Sequence, residues 1–235
     1  MYFTSLASSS KGNCYIVSDG TTRLMLEAGL AEREIKKRVK AAGCGKLSDI
    51  SGVLITHSHK DHSRACRQLL DNGMTVYTSQ GTADEIGDER FETVKHGGLF
   101  SVGSFDIMPF DTFHNTREPL GYLIRSRRTR EKLLFAIDTV NMCYIVPGLD
   151  YIAIECNYAA AELEKHTKLH DKVREHIMNT HLELGVLLKY LKKLDLSKVK
   201  KIYLMHLSGS HSSEAGILQA FAGSFPGLCV EICPE

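Results

Sequence analysis

The chain carries almost no net charge: 29 Lys and Arg against 28 Asp and Glu leave a formal +1 over 235 residues. No global field therefore draws it to nucleic acid, and any basic footprint has to be local. No apolar run approaches the ~18 residues that a membrane span needs. The opening Met1-Tyr2-Phe3-Thr4-Ser5 has no basic stretch followed by an apolar one, so no signal peptide is expected. The seven cysteines (Cys14, Cys44, Cys66, Cys143, Cys156, Cys229, Cys233) are odd in number and form no C-x-x-C pair. That reads as reduced thiols in a cytoplasmic protein, with Cys229 and Cys233 packing a strand. Repeats, low-complexity tracts and Pro/Gly-rich linkers are missing too, so one domain over 1–235 is expected. The 43% hydrophobic fraction suffices for a large core at this length.

Hydrophobic patterning gives the elements. A loop Ser8–Asn13 precedes Cys14–Val17, an Asp19-Gly20 turn and Arg23–Leu26, which together read as a hairpin. Residues 31–42 have helical periodicity, with Ile35 and Val39 four apart and Gly43 as a stop. Val53–Ile55 reads as a buried strand, 63–72 as a short helix, Thr75–Thr78 as a strand and 81–88 as a polar helix. Strands are expected at 92–95, 99–102, 105–110, 120–126, 132–137 and 150–154. Helices are expected at 159–177, 182–193 and 213–222, with strands at 202–205 and 229–232. Two sheets covered outside by helices would account for this order.

Residues 56–62, Thr-His-Ser-His-Lys-Asp-His, place three histidines and one carboxylate within six positions, just after Val53-Leu54-Ile55. Packing explains such density poorly, because each buried imidazole would need its own polar partner. On an extended strand end His57 and His59 point the same way. A turn at Ser58–Lys60 then carries Asp61 and His62 to an adjacent position, which predicts two neighbouring metal positions fed by one loop. Imidazole and carboxylate without thiolate suit zinc, and also manganese or iron. The bland alternative is an exposed histidine cluster at a helix start, with Asp61 as a cap.

Four later apolar runs end in residues of the same chemistry: His114 after Phe110, Asp138 after Leu133–Ile137, Glu155 after Tyr151–Ile154, and His206 after Ile202–Met205. Taken singly, each can be a cap or an edge residue. Ligands converging from several strand ends onto one rim would be held by rigid elements. With the six-residue cluster they supply the count that a two-metal site needs, and such a site activates water and stabilises an anionic transition state.

Histidines and aspartates in this order, H-x-H-x-D-H followed by His114, Asp138 and His206, resemble the metallo-β-lactamase-fold hydrolases. Within that superfamily the opening SLASSSKGNCYIV, the segment LMLEAGL and the closing LMHLS resemble the YycJ-like metal-dependent exonucleases of bacteria and phages. The resemblance implies an α/β protein built as an αββα four-layer sandwich. It assigns His57, His59 and His114 to a first divalent metal, Asp61, His62 and His206 to a second, and Asp138 to a bridge. Glu155 in Ile-Glu-Cys-Asn, and His181 in Asn-Thr-His-Leu, resemble nuclease motifs and imply that Asp61, Glu155 and His181 serve catalysis, the last two by charge stabilisation and leaving-group protonation.

The chain also departs from the family pattern. Glu27 stands where relatives have Asp, so its hydrogen bond to a ligand histidine is not expected. Thr180-His181-Leu182-Glu183 replaces Gly-His-Leu-Ser, and Cys156 replaces a serine. Basic clusters at Arg125–Lys132 and Lys189–Lys201 (six lysines in the second) are candidate phosphate contacts or solvated faces. His211 can reach a substrate from a loop, whereas His166, His170 and His176 are expected to face solvent. The expected function is cleavage of a DNA or RNA phosphodiester. The alternatives are a small cyclic nucleotide or other small ester as substrate, and a metal-binding module of the same fold without catalysis.

Overall fold

The structure, a computed structural model, describes residues 1–235. It divides into two compact units: Met1–Asp111, Thr116–Glu131 and Pro234–Glu235 form the first, Thr112–Asn115 and Lys132–Cys233 the second.

In the first unit, β1 (Tyr2–Ser9) and β2 (Gly12–Ser18) pair antiparallel, Ser9 opposite Gly12. The expected loop at 8–13 is thus mostly strand, with only Ser10-Lys11 at the turn. β3 (Arg23–Leu26) follows through the Asp19-Gly20 turn, as expected from that dipeptide. The Asp19 carboxylate accepts from the Thr21 and Thr22 amides at 3.0 Å each. It also accepts from the Ser104 and Ser126 hydroxyls, at 2.6 and 2.7 Å. Helix α1 (Glu32–Ala41) buries Ile35 and Val39, the pair read from the periodicity.

Strands β4 (Gly52–Leu54), β5 (Val76–Thr78) and β6 (Glu92–Thr93) then add in parallel, completing the order β1-β2-β3-β4-β5-β6. Instead of one helix over 63–72 there are two short ones, α2 (Lys60–Ser63) and α3 (Cys66–Asp71). The break arises because Ala65 donates its amide out of the helix, to the Ala28 carbonyl. Helix α4 (Gln80–Ile86) is capped by the Ser79 side chain, which accepts from the Thr82 amide, and stops at Gly87 in the left-handed region. Strands β7 (Phe100–Val102), β8 (Phe105–Asp111) and β9 (Leu120–Ser126) pair antiparallel. Ile16, Met25, Ile35, Val53 and Leu69 belong to the apolar core of this unit.

The second unit is a parallel run. Strands β10 (Lys132–Ala136), β11 (Tyr151–Glu155), β12 (Lys201–Met205) and β13 (Val230–Ile232) lie side by side, with Ala136 opposite Ile154 and Ile154 opposite Leu204. Of these, β10, β11 and β12 are buried on both faces, which is why they read as unbroken apolar runs, whereas β13 carries the exposed Glu231. Helices α5 (Ala160–Lys165), α6 (Asp171–Thr180), α7 (Leu184–Leu191) and α8 (Glu214–Ser224) connect them. The single helix expected over 159–177 is two. The His170 side chain caps α6 by accepting from Lys172, and Arg174 donates to the Leu163 and His166 carbonyls that end α5. Cys233 is buried but Cys229 is exposed and lies just before β13, so only the former packs as expected. No helix is long and apolar enough to cross a membrane.

Candidate metal centre

In the first unit, β4 ends at Leu54 and the chain runs out over its C-terminal edge through the His57–His62 loop. Val53 to Ile55 anchor that loop by complete burial, and Tyr122 donates its hydroxyl to the Ile55 carbonyl at 2.6 Å. His57 Nε2 lies 3.2 Å from His59 Nδ1, and His57 Nδ1 lies 2.9 Å from the Thr56 hydroxyl. His62 is fully buried; its Nε2 lies 3.3 Å from Asp61 and 3.2 Å from the Asn13 side-chain amide. An imidazole fixed by an oxygen partner on one nitrogen presents the other in a set direction, as a metal ligand requires.

Glu27 reaches His62 despite its extra methylene, by a 3.4 Å contact rather than a hydrogen bond. Its Oε2 lies 3.4 Å from His62 Nδ1, and its Oε1 accepts from the Thr56 amide at 3.2 Å. The left-handed backbone at Glu27, φ 64°, turns the end of β3 so that the longer side chain still meets His62. Burial lifts the Glu27 carboxyl above its ordinary range, and the contacts with His62 and Thr56 oppose that rise only in part.

In the second unit, the parallel register sets three ends level. Glu155 closes β11, His206 follows β12 and Asp138 stands two residues past β10. Ligand atoms of Asp138, Glu155, His181 and His206 all lie within 4.8 Å of one another. His206 Nδ1 is 2.7 Å from Asp138 and 3.3 Å from Glu155, while His114 Nε2 is 3.6 Å from Asp138. His181 Nδ1 is 2.7 Å from Glu155 Oε1 and 3.7 Å from Asp138. The other Glu155 oxygen accepts from the amides of Thr139 and Leu182. Burial alone would raise the Glu155 pKa; the His181 imidazole and the His206 hydrogen bond together outweigh it and hold the carboxyl below its usual range. Burial likewise works against the His181 cation, but Glu155 prevails and holds that pKa above the usual imidazole value.

Two buried asparagines escaped the sequence reading. Asn13 donates to the Ser9 and Asp61 carbonyls and touches His62, and its own carbonyl accepts from Tyr15 at 3.0 Å. Asn157 donates to the His206 carbonyl at 2.8 Å. Neither lies inside an apolar run, so no local signal marked them, although a buried amide needs partners.

Other candidates lie elsewhere. His211 sits 3.0 Å from the Ser208 hydroxyl, with its ring edge-on to His166, outside the carboxylate–histidine group. Exposure of His166, His170 and His176 is as expected, but the first two flank the break between α5 and α6. Within the basic cluster after β9, Arg127 pairs with Asp106 and Arg128 donates to the Asp19 carbonyl, so both guanidiniums brace turns. Lys200 and Lys201 pair with Asp150 and Glu231, leaving Lys189, Lys192, Lys193 and Lys198 exposed.

Residues 22–207 match the family described as Beta-lactamase superfamily domain. The chain belongs to the metallo-β-lactamase superfamily. Among its relatives is exodeoxyribonuclease YycJ of Bacillus anthracis, 26% identical over 227 residues that cover 88% of this chain and 83% of that protein. Exodeoxyribonuclease WalJ of Streptococcus pneumoniae is also 26% identical, over 88% of this chain and 81% of its own length. The crystal structure of the metallo-β-lactamase fold protein YhfI from Bacillus subtilis superposes with a TM-score of 0.74 at 13% identity, covering 99% and 95% of the two chains. The metallo-β-lactamase fold of this chain is accordingly α/β, two mixed sheets with helices. Its His/Asp clusters are consistent with a metal site in a hydrolase of this superfamily.

Proposed function

We propose that the chain is a dinuclear metal-dependent phosphodiesterase that cleaves nucleic acid, with DNA as the first substrate to test. The 2.7 Å pair of Glu155 and His181, set among Asp138 and His206, carries this reading. By the family pattern, His57, His59 and His114 would hold one ion and Asp61, His62 and His206 the other, with Asp138 assigned to both. These donors are imidazole and carboxylate only, which fits zinc, manganese or iron. When bound, divalent ions lower the pKa of water and offset charge on phosphoryl oxygens.

The chain's own residues do the rest. Glu155 orients His181 through Nδ1 and favours its cation. The other ring nitrogen, Nε2, is then the proton donor to the departing oxygen. With a side chain 16% exposed, His181 remains open to a bound substrate. Glu27 and Asn13 hold His62 from two sides, and Asn157 fixes the backbone at His206. Support for DNA comes from the relatives YycJ and WalJ, both named exodeoxyribonucleases.

The test incubates the protein, with zinc or manganese added separately, with bis(p-nitrophenyl) phosphate and with a labelled single-stranded DNA. Cleavage of both, lost in His59→Ala, is the expected result. Cleavage of the small ester alone moves the assignment to a small phosphodiester. A metal-loaded protein inert to both overturns the reading.

A further inference from the structure

We infer that a second, non-scissile phosphate of a nucleic-acid strand seats in a basic cavity beside the Asp61 loop, making the substrate a polymer rather than a cyclic mononucleotide. This rests on the phosphodiesterase reading above and adds where a strand of that substrate is held.

The cavity lies within the first unit and has a volume of about 730 Å³. Lys11, Lys60, Arg64 and Arg67 line it, opposed by the carboxylates of Asp61 and Glu85. Asp61 is committed to the ligand loop. Glu85 accepts from the Ser58 hydroxyl and from the Arg117 amide, so its charge is already engaged. Arg67 is engaged as well, donating to the Ile86 and Gly87 carbonyls at the end of α4. Lys11 reaches only Glu235, at 3.6 Å and on the open surface.

Lys60 and Arg64 differ from these. Both are exposed, and no carboxylate pairs with either. They are four residues apart on α2 and its C-cap, where the Arg64 amide donates to the Lys60 carbonyl. That spacing puts two like charges on one face, an arrangement that is unfavourable in an empty site and is relieved by an anion lying across both. Asp61 and His62 fall between them in sequence, so an anion held there is adjacent to the ligand loop. The volume exceeds what a lone phosphate fills and accommodates a nucleotide unit. In a chain of formal charge +1, concentrating four cations around one cavity is a local footprint of the kind a phosphate backbone needs.

The experiment uses the full chain stripped of metal by a chelator, so that binding is read without cleavage. Anisotropy of a labelled hexathymidylate is followed across a salt series for wild type, Lys60→Ala/Arg64→Ala and the control Lys192→Ala/Lys193→Ala. The expected result is at least tenfold weaker binding in the first variant. Its slope of log Kd against log salt should also fall by about 1.4, from about 0.7 per phosphate contact on single strands. The control should match wild type. No wild-type binding, equal affinity and slope in Lys60→Ala/Arg64→Ala, loss in the control instead, or displacement of the oligomer by an equal concentration of inorganic phosphate would each overturn the inference. Hydrolysis of bis(p-nitrophenyl) phosphate by the metal-loaded protein is measured in parallel. Its absence together with the expected binding loss would sink the enzyme reading and leave the phosphate cavity standing.

Discussion

Three residues that carry charge or imidazole at strand ends share an uncommon backbone: Glu27, Asp138 and His206 have φ of 64°, 47° and 54°. For residues with a Cβ the left-handed region costs about 1–2 kcal/mol each, and such outliers cluster where function fixes geometry. Each turns the chain sharply off its strand and redirects one ligand-type side chain. Gly29 shows the converse constraint. A Cβ there would stand 1.6 Å from the Asp61 carbonyl oxygen and 2.7 Å from the Asn13 amide nitrogen, so only glycine lets the two loops pass. Gly29→Ala should cost about 2 kcal/mol by overpacking and weaken metal binding, read by denaturant unfolding and chelator competition; unaltered values in both would refute the tight-passage argument. His181→Asn should lower kcat roughly 10²–10⁴-fold, the usual scale of general acid catalysis, with metal content retained. Loss of metal would make His181 a ligand instead.

Among elements, the Asp19-Gly20 turn does more than reverse the chain. Its carboxylate binds two amides of its own turn, the Ser104 hydroxyl after β7 and the Ser126 hydroxyl at the end of β9. Desolvation would raise its pKa, but these four donors prevail and hold it down to about 2. A carboxyl depressed in the folded state contributes stability that is complete above its unfolded pKa, near 4, and is lost as pH falls toward the folded value near 2. Asp19→Ala should therefore destabilise by about 2 kcal/mol at neutral pH and flatten the loss of stability between pH 4 and 2. A variant with the wild-type acid profile would exclude Asp19 as its source. At the α5–α6 corner, Arg174→Ala should speed amide exchange in α5, because the guanidinium supplies donors to carbonyls that the helix end leaves without partners. Unchanged exchange there would refute the bracing role.

For the whole molecule, metal content is the global test. Elemental analysis should find two divalent ions per chain, and a chelator should abolish phosphodiesterase activity until metal is restored. Metal at about 100 times its Kd should add about 2.7 kcal/mol to stability by linkage. Replacing His59 in the first unit, or His206 in the second, should each reduce both metal content and activity. One ion per chain with full activity would overturn the dinuclear assignment.

Composition and pattern were enough to place the helical segments, though not the breaks near Ala65 and His166, and the apolar parallel strands and the His57–His62 loop, because buried strands must be apolar and metal-type ligands are too dense there to hide. The order of His114, Asp138 and His206 along the chain was legible for the same reason, each ending an apolar run. Local signals could not show that Ser8, Ser9 and Asn13 belong to strands, since their partners lie across a ladder rather than along the chain. Nor could they show that Asp19 gathers hydroxyls from residues 104 and 126, or that Arg127 and Arg128 spend their charge on turns. The contact of Glu27 with His62 and the 2.7 Å pairing of Glu155 with His181 were decided by backbone direction at strand ends. Side-chain chemistry is written in the sequence residue by residue, but the approach of residues far apart in the chain is set only when strands align and their ends turn.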